Sequence, residues 1–333
     1  MRSQARISIV IPVFNGSRTL RQTLETARRQ RDGVEIIVVD DASTEDIAPL
    51  VHEMGAIHHR LPINFGPATA RTEGARVASG EIVLFTDSDV WLPDQLLSAL
   101  QKVFAERKCE CVQGVFSKQC PHTDFFSQYK NLYNRFVLNR LPDWIETTYT
   151  SLTAVDKDFF FRCGGFDQNI RSASIEDRTL GENIIRAGGK IFLDRTLEVV
   201  HNKRLSASGF FRSQFKRSRD LAKLLLRQRE SGYRKAGGTF GTNTREAMLR
   251  LPVAQCVLIS VALSLWSGWF LSLGLLFGIL YVRLTREWIG YLAREKGPAF
   301  GLLGLGVDFL DALVSGLGVA AGIFGYKVLG KRY

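Results

Sequence analysis

Thirty consecutive residues without a charged side chain, residues 253–282, constrain the fold of this 333-residue chain more than any other feature. About 20 apolar residues are enough to cross the hydrocarbon core of a bilayer, so a stretch of this length predicts a membrane segment. A second apolar stretch covers residues 300–326. We therefore expect an α-helical membrane region in residues 251–333 with two or three transmembrane helices. Residues 253–282 form either one tilted span or two short helices bent near Ser267-Gly268.

Two carboxylates interrupt the second apolar stretch. Asp308 and Asp311 would be costly at membrane depth, which favours a functional or paired role for them. The alternative is that both lie at the headgroup boundary and that only the segment from Ala312 onward is immersed. Small residues follow at spacings suited to close helix packing; they are Gly316, Gly318, Gly322 and Gly325.

The net charge of +11 is concentrated just before the first apolar stretch. Residues 203–250 contain thirteen Lys and Arg against three Asp and Glu. A basic cluster beside a membrane segment predicts attraction to anionic lipid headgroups and a cytoplasmic position. We expect residues 206–250 to form a basic amphipathic interfacial helix and a linker. Nucleic acid is the less favoured partner, because Phe and Leu residues interleave the basic ones.

Residues 1–205 alternate β-rich runs with helical stretches, which predicts an α/β domain with a mostly parallel sheet and helices on both faces. Polar clusters follow three of the runs; they are Asn15, Asp40-Asp41 and Asp87-Ser88-Asp89. Ligands of such sheets bind beyond the carboxyl ends of the strands, so one site at this rim is expected. Two further helices are predicted, over residues 94–106 with Pro93 at the opening and over residues 175–187.

Asp87 and Asp89 have the residue type and spacing of a site for a hard divalent cation. Both follow the buried run Ile82–Phe85, and carboxylate oxygens are the ligands that Mg²⁺ and Mn²⁺ prefer. A cation held there could bind a diphosphate. Glu176 and Asp177 lie at the start of a predicted helix. They either stabilise the helix by interacting with its dipole or form part of the site.

Six motifs together give this chain a family resemblance. They are Ser8-Ile-Val-Ile-Pro-Val-Phe-Asn15, Val38-Val-Asp-Asp-Ala-Ser43, Asn64-x-Gly66-x-x-x-Ala70-Arg71-x-x-Gly74, Gly80-Glu-Ile-Val-Leu-Phe-Thr-Asp-Ser-Asp89, Gly164-Gly-Phe-Asp167 and Glu176-Asp177. In this order and spacing the chain resembles the inverting family 2 glycosyltransferases, which have the Rossmann-like GT-A fold. The resemblance covers about residues 7–203, and the membrane region resembles the tails of bacterial members only loosely.

The resemblance implies a role for each matched residue. Asp40 or Asp41 would accept hydrogen bonds from the nucleotide base, and Pro12 and Phe14 would line the base site beside Asn15. Asp89 would bind Mg²⁺ or Mn²⁺, Asp87 would reach the metal or the ribose, and His201 would complete the metal shell. Arg71 would orient the acidic pair or contact a phosphate oxygen. Asp177 matches the general base, with Glu176 as the substitute.

These roles predict a membrane-bound, metal-dependent, inverting hexosyltransferase of the inner membrane. It would move one sugar from a nucleoside-diphosphate sugar to a lipid or lipid-linked acceptor at the cytoplasmic face. Processive relatives carry Gln-x-x-Arg-Trp after the catalytic domain, whereas here Gln214-x-x-Arg217 precedes Ser218. A processive enzyme, a nucleotidyltransferase and a non-catalytic binding module are the alternatives.

Overall fold

A computed structural model describes residues 5–30, 33–230 and 245–332. It divides the chain into two compact units, Met1–Arg204 and Leu205–Tyr333. The domain boundary at residue 205 stays a prediction.

The amino-terminal unit contains nine strands and seven helices in the described residues. Its elements are β1 (Ile7–Val13), α1 (Ser17–Arg28), β2 (Glu35–Asp40), α2 (Ala48–Glu53), β3 (Ile57–Arg60), α3 (Pro67–Val77), β4 (Ile82–Phe85), β5 (Val90–Trp91), α4 (Leu96–Arg107), β6 (Cys111–Phe116), α5 (Phe125–Asn139), β7 (Trp144–Ile145), β8 (Thr153–Asp156), α6 (Lys157–Arg162), α7 (Glu176–Arg186) and β9 (Ile191–His201). The four residues of β4 are fully buried, as expected of a strand covered on both faces.

One sheet carries the order β3-β2-β1-β4-β8-β6-β9-β5, with β7 paired to β9. Strands β3, β2, β1 and β4 are parallel, as the alternating pattern predicts. Beyond β4 the prediction of a mostly parallel sheet needs correction, because β8 runs antiparallel to both β4 and β6. The α/β class holds, but the sheet is mixed.

The helix predicted to open at Pro93 begins later, at Leu96. Gln95 precedes it with a left-handed φ of 61°, and Val90–Trp91 are paired with β9 before the helix can begin. The left-handed backbone of Gln95 interrupts the helical conformation, so the helix begins after it. The helix predicted over residues 175–187 is observed as Glu176–Arg186.

The carboxyl-terminal unit consists of four helices in its described residues, α8 (Ala207–Glu230), α9 (Arg245–Leu263), α10 (Trp269–Lys296) and α11 (Pro298–Lys327). Residues 253–282 are divided between α9 and α10, so of the two sequence-based alternatives the structure selects two helices joined near Ser267-Gly268. The predicted boundary at residue 250 falls inside α9, and the predicted linker residues 231–244 lie outside the described residues.

Three of these helices are long and apolar enough to cross a membrane. They are Glu246–Leu263, Trp269–Lys296 and Pro298–Lys327. Two or three spans were expected, and by length and composition the larger number applies.

Asp308 and Asp311 are almost completely buried, with exposed fractions of 0% and 2%. The Tyr281 hydroxyl donates to Asp308 Oδ2 at 2.6 Å, and Arg250 pairs with both carboxylates. The Gln214 side-chain amide donates to Asp311 Oδ1 at 2.8 Å. Both carboxylates are therefore paired, since unpaired carboxylates would be too costly to bury, and their position at the headgroup boundary stays a prediction.

Candidate active site

The acidic pair is held at the end of β4 by contacts on both sides of the strand. The Thr86 amide donates to the carbonyl of Val10 at 3.1 Å, and its hydroxyl donates to the carbonyl of Ser151 at 2.9 Å. The Val90 amide then donates a hydrogen bond to the carbonyl of Asp87 at 3.2 Å, which closes the turn. The backbone that presents Asp87 and Asp89 is therefore fixed.

Strand pairing brings His201 to this turn. Val90 of β5 lies opposite His201 of β9, and the Asn202 amide donates to the carbonyl of Asp89 at 2.7 Å. His201 Nε2 lies 3.3 Å from Asp89 Oδ1, and its ring packs against Phe116 at 5.4 Å between centroids. Side-chain ligand atoms of Asp87, Asp89 and His201 all lie within 4.8 Å of one another.

These three side chains fit a divalent cation. His201 Nε2 is buried and its one polar neighbour among the described residues is Asp89 Oδ1, as expected of a nitrogen placed to share a metal with that carboxylate. Two carboxylates and one imidazole make an oxygen-rich set that suits Mn²⁺ or a similar hard ion. Burial opposes ionisation of Asp89, but the neighbouring His201 and Lys203 hold the pKa of this carboxyl well below its usual range. Asp89 is therefore ionised and able to bind a cation.

A buried network connects the acidic pair to α7. Arg71 Nη2 donates to Asp87 Oδ1 at 2.6 Å, while Nη1 lies 3.5 Å from Glu176 Oε1. The Ser151 hydroxyl donates to Asp87 Oδ2 at 2.7 Å, and the Ser174 amide donates to Glu176 Oε2 at 2.7 Å. Burial lowers the pKa of Arg71, but the carboxylates of Asp87 and Glu176 outweigh it and raise that pKa. Arg71 thus remains charged between two carboxylates.

Asp177 is the second residue of α7, next to this network, and is half-buried. Its carbonyl accepts a hydrogen bond from the Thr148 hydroxyl at 2.6 Å, which fixes the first turn of the helix. Its Oδ1 accepts the amide of Arg178 at 2.8 Å. The carboxylate of Glu176 is by contrast buried and occupied by Arg71 and Ser174.

The other predicted nucleotide residues lie at the ends of β1 and β2. Asp40 has no exposed side-chain surface and binds the Ser43 amide at 2.8 Å and Arg60 Nη1 at 2.5 Å. Asp41 accepts the amides of Phe65 and Gly66 at 2.8 Å each. Burial raises the pKa of Asp41, although these two amides oppose that shift. Asp40 therefore fixes the backbone that follows β2, and Asp41 fixes the backbone that precedes α3.

Pro12, Phe14 and Asn15 occupy the same rim. Pro12 is half-buried, and the Phe14 ring is 52% exposed. Asn15 has a left-handed φ of 52°, and its Oδ1 accepts the Thr44 amide at 2.8 Å. Asn15 therefore ties the end of β1 to the loop after β2, and Phe14 offers an accessible aromatic surface.

Sequence reasoning did not identify Ser151 or Arg60. Ser151 precedes β8 and reaches Asp87 only because β8 pairs with β4. Arg60 ends β3 and reaches Asp40 because β3 pairs with β2. No local motif marks either residue, and only correct strand pairing could have located them.

Comparison with known proteins agrees with the fold. Residues 8–168 match the family described as Glycosyl transferase family 2. Validoxylamine A glucosyltransferase of Streptomyces hygroscopicus subsp. jinggangensis is 26% identical over 242 residues, 59% of this chain and 56% of that protein. Glycosyltransferase GlyA of Streptococcus pneumoniae is 31% identical over 114 residues, 33% of this chain and 16% of the relative. The chain spans less than two thirds of the length of these relatives.

Two solved structures share the fold. A mannosyltransferase, PcManGT from Pyrobaculum calidifontis in complex with GDP-Man and Mn²⁺, matches with a TM-score of 0.59 and 20% identity over 92% of this chain and 87% of its own. GalNAc-T7 with UDP, GalNAc and Mn²⁺ matches with a TM-score of 0.51 and 17% identity over 71% of this chain and 56% of its own.

The mixed sheet, the flanking helices and the acidic rim define a GT-A domain. With the family match over residues 8–168, the amino-terminal unit is similar to the family 2 glycosyltransferases.

Proposed function

We propose that the protein transfers a single sugar from a nucleoside-diphosphate sugar to a lipid or lipid-linked acceptor, with inversion at the anomeric carbon. The observation that carries the proposal is the cluster of Asp87, Asp89 and His201, whose ligand atoms all lie within 4.8 Å of one another. This group has the donor atoms for one divalent cation, Mg²⁺ or Mn²⁺. It lies at the rim where nucleotide ligands of such sheets bind.

Asp87, Asp89 and His201 would hold the cation. When bound, it supplies Lewis-acid stabilisation of the departing diphosphate. Arg71 and Ser151 hold Asp87 in place from opposite sides. Glu176 positions Arg71, and we assign it that role because its own carboxylate is occupied. Phe14 and Pro12 would contact the base, while Asp40, Asp41 and Asn15 shape the loops around it.

Asp177 would accept the proton of an acceptor hydroxyl. The bond from the acceptor oxygen to the anomeric carbon forms as the bond to the diphosphate oxygen breaks. The diphosphate leaves with that electron pair, and the proton passes to the Asp177 carboxylate. An acceptor that is already an ionised phosphate has no proton to give, so Asp177 would then orient rather than deprotonate.

The lipid acceptor is supported by the carboxyl-terminal unit, which contains most of the exposed large apolar side chains in the described residues. Its basic helix α8 favours an anionic cytoplasmic leaflet. Single-sugar transfer is supported by Ser218, which stands where processive relatives have Trp. Ser218 Cβ would lie 3.1 Å from a Cβ added at Gly318, so this position faces α11 closely and a Trp would not fit.

The test is sugar transfer and donor hydrolysis by the full chain in detergent with lipid-phosphate acceptors, using a panel of nucleoside-diphosphate sugars. Activity should need Mn²⁺ or Mg²⁺ and be lost with EDTA. Asp89→Asn should lose at least 100-fold in turnover, whereas Asp94→Asn, an exposed aspartate near the site, should retain it. Turnover of Asp89→Asn equal to that of the wild type with metal present would refute the site.

Asp177→Asn separates the two kinds of acceptor. A loss comparable to that of Asp89→Asn would indicate a hydroxyl acceptor, and substantial remaining turnover would indicate a phosphate acceptor. Repeated addition of sugars to one acceptor would instead favour the processive alternative. Donor binding without hydrolysis or transfer would favour a binding module.

A further inference from the structure

Helix α11 does not pack as an independent membrane span, because the basic helix α8 runs beside it. Gln214 contacts Asp311, Ser218 faces Gly318, Ala222 faces Gly322 and Glu230 contacts Tyr326. Residue numbers rise together along both helices, so they are parallel. The paired segment, residues 311–326, is about 22 Å long at 1.5 Å per residue.

The packing of α8 and α11 is too close for the two helices to separate easily. A Cβ at Gly318 would lie 2.5 Å from the carbonyl oxygen of Phe215, and one at Gly322 would lie 2.4 Å from that of Arg219. Backbone atoms of the two helices therefore touch along this face. Whatever depth α11 has in a membrane, α8 shares it.

Helix α8 cannot cross the hydrocarbon core at that depth. Between Gln214 and Glu230 it carries six Lys or Arg residues and two acidic residues. Charged side chains are the least tolerated residues at the bilayer centre, and this helix would place them along most of its length there. If α8 lies at the membrane surface, α11 must lie there as well.

The apolar part of the α9–α10 hairpin is also short for a crossing. In α10 the uncharged segment covers residues 269–282, fourteen residues or about 21 Å, before Arg283. At the level of Tyr281 the neighbouring helices contribute Arg250, Asp308 and Asp311. The hydrocarbon core is about 30 Å thick, so the uncharged part of α10 is shorter than a full crossing, although the whole helix is long enough for one.

The exposed apolar surface fits insertion from one side. Leu303, Leu310, Leu317 and Phe324 repeat every seven residues along α11 and are each at least 50% exposed, while the opposite glycine face packs on α8. The tip of the α9–α10 hairpin exposes Leu265 and Trp266 at 93% and 87%. Exposed apolar side chains of this kind can insert among the acyl chains, while the basic residues of the neighbouring helix contact anionic headgroups.

We propose that residues 205–332 bind the membrane from one side, as a wedge in a single leaflet, rather than crossing it. Helices α8 and α11 lie along the surface, and the α9–α10 tip is the deepest part. This is an alternative to the multi-pass arrangement predicted from the sequence, which stays a prediction. The proposal rests on the packing, charge and exposed apolar surface of these helices and does not depend on the proposed sugar transfer.

Cysteine accessibility distinguishes the topologies in the full chain. Ser208→Cys, Ser267→Cys, Lys296→Cys and Lys331→Cys would be treated with a membrane-impermeant maleimide in right-side-out and inverted bacterial vesicles, and each labelled peptide measured by mass. We expect positions 208, 296 and 331 to react in the inverted vesicles only, and position 267 in neither. With three spans, positions 267 and 331 would lie on the opposite side of the membrane from positions 208 and 296. With two spans, only position 296 would lie on the opposite side from position 208. Either result would overturn the proposal.

Fluorescence quenching identifies what covers the hairpin tip. A bimane fluorophore on Ser267→Cys in phosphatidylethanolamine–phosphatidylglycerol vesicles should be quenched by lipids brominated on the acyl chain and protected from aqueous iodide. Protection from both quenchers would show that a second protein copy covers the tip, and quenching by iodide would show that the tip is in water. Both results would refute insertion. A reporter fused after Lys331 gives the side of the carboxyl terminus if a cysteine variant does not fold.

Discussion

Replacing Arg71 by methionine should destabilise the amino-terminal unit severely. Arg71 is 4% exposed and neutralises Asp87 and Glu176, so its loss leaves two carboxylates in a poorly hydrated environment with only Ser151 and Ser174 as donors. Removing one partner of a buried ion pair costs about 3–5 kcal/mol. At about 2–4 °C per kcal/mol for a unit of this size, we expect the unfolding midpoint to fall by roughly 10 °C.

Glu176→Gln is the matched comparison. Arg71 and the Ser174 amide donate to different oxygens of Glu176, so the single glutamine oxygen can keep only one of these hydrogen bonds. Arg71 keeps Asp87, so the cost should be about 1–2 kcal/mol. In the double variant Arg71→Met with Glu176→Gln, no unpaired glutamate remains. The double variant should therefore be more stable than the sum of the two single changes by about 1–2 kcal/mol.

The assay is proteolysis of the full chain in detergent after heating to a series of temperatures, with peptides from residues 5–204 quantified by mass. This gives a midpoint for the amino-terminal unit by itself. A loss below about 1 kcal/mol for Arg71→Met, or strict additivity in the double variant, would refute the ion-pair reasoning. Turnover adds a second readout, since Glu176→Gln should retain more activity than Asp177→Asn if Glu176 only positions Arg71.

Three further changes test separate parts of the structure. Ser151→Ala removes the hydroxyl that binds Asp87 Oδ2. The Mn²⁺ concentration for half-maximal activity should therefore rise about fivefold, equivalent to about 1 kcal/mol. An unchanged Mn²⁺ titration would contradict this role of Ser151. Gly322→Leu should lower the thermal stability of the carboxyl-terminal unit by about 1–3 kcal/mol, because its Cβ meets the Arg219 carbonyl, whereas Gly306→Leu has open space and should not. Burial opposes ionisation of Glu35, but the Ser8 hydroxyl and the Ser79 amide outweigh it and lower the pKa of this carboxyl. That stabilisation is complete above the ordinary pKa near 4.5 and is lost as pH falls through the lower folded-state value. Glu35→Gln should therefore flatten the acid side of the stability–pH curve, and an unaltered curve would count against it.

Local patterns were sufficient for much of the fold and for the outline of the site. Strands β1, β2 and β4 are apolar runs ended by polar residues, and each was predicted from its own residues. The Asp87-Ser88-Asp89 turn and the start of α7 were predicted in the same way. Such patterns are readable because strand and helix formation depend on the spacing of neighbouring apolar side chains.

Long-range pairing decided the rest of the site. His201 reaches Asp89 only because β5 pairs with β9, and Ser151 reaches Asp87 only because β8 turns antiparallel beside β4. The carboxylates of Asp40 and Asp41 could be identified from the sequence, but not their occupation by Arg60 and by backbone amides. Their partners are contributed by other strands and loops, so no local pattern contains them.

The carboxyl-terminal helices separate the two kinds of information most clearly. The sequence by itself determined that residues 253–282 must leave water, since an uncharged stretch of that length has no other stable environment. Whether those helices cross a bilayer depends on what packs beside them. Only the tertiary structure places the basic helix α8 against the glycine face of α11, because that contact depends on backbone approach at Gly318 and Gly322.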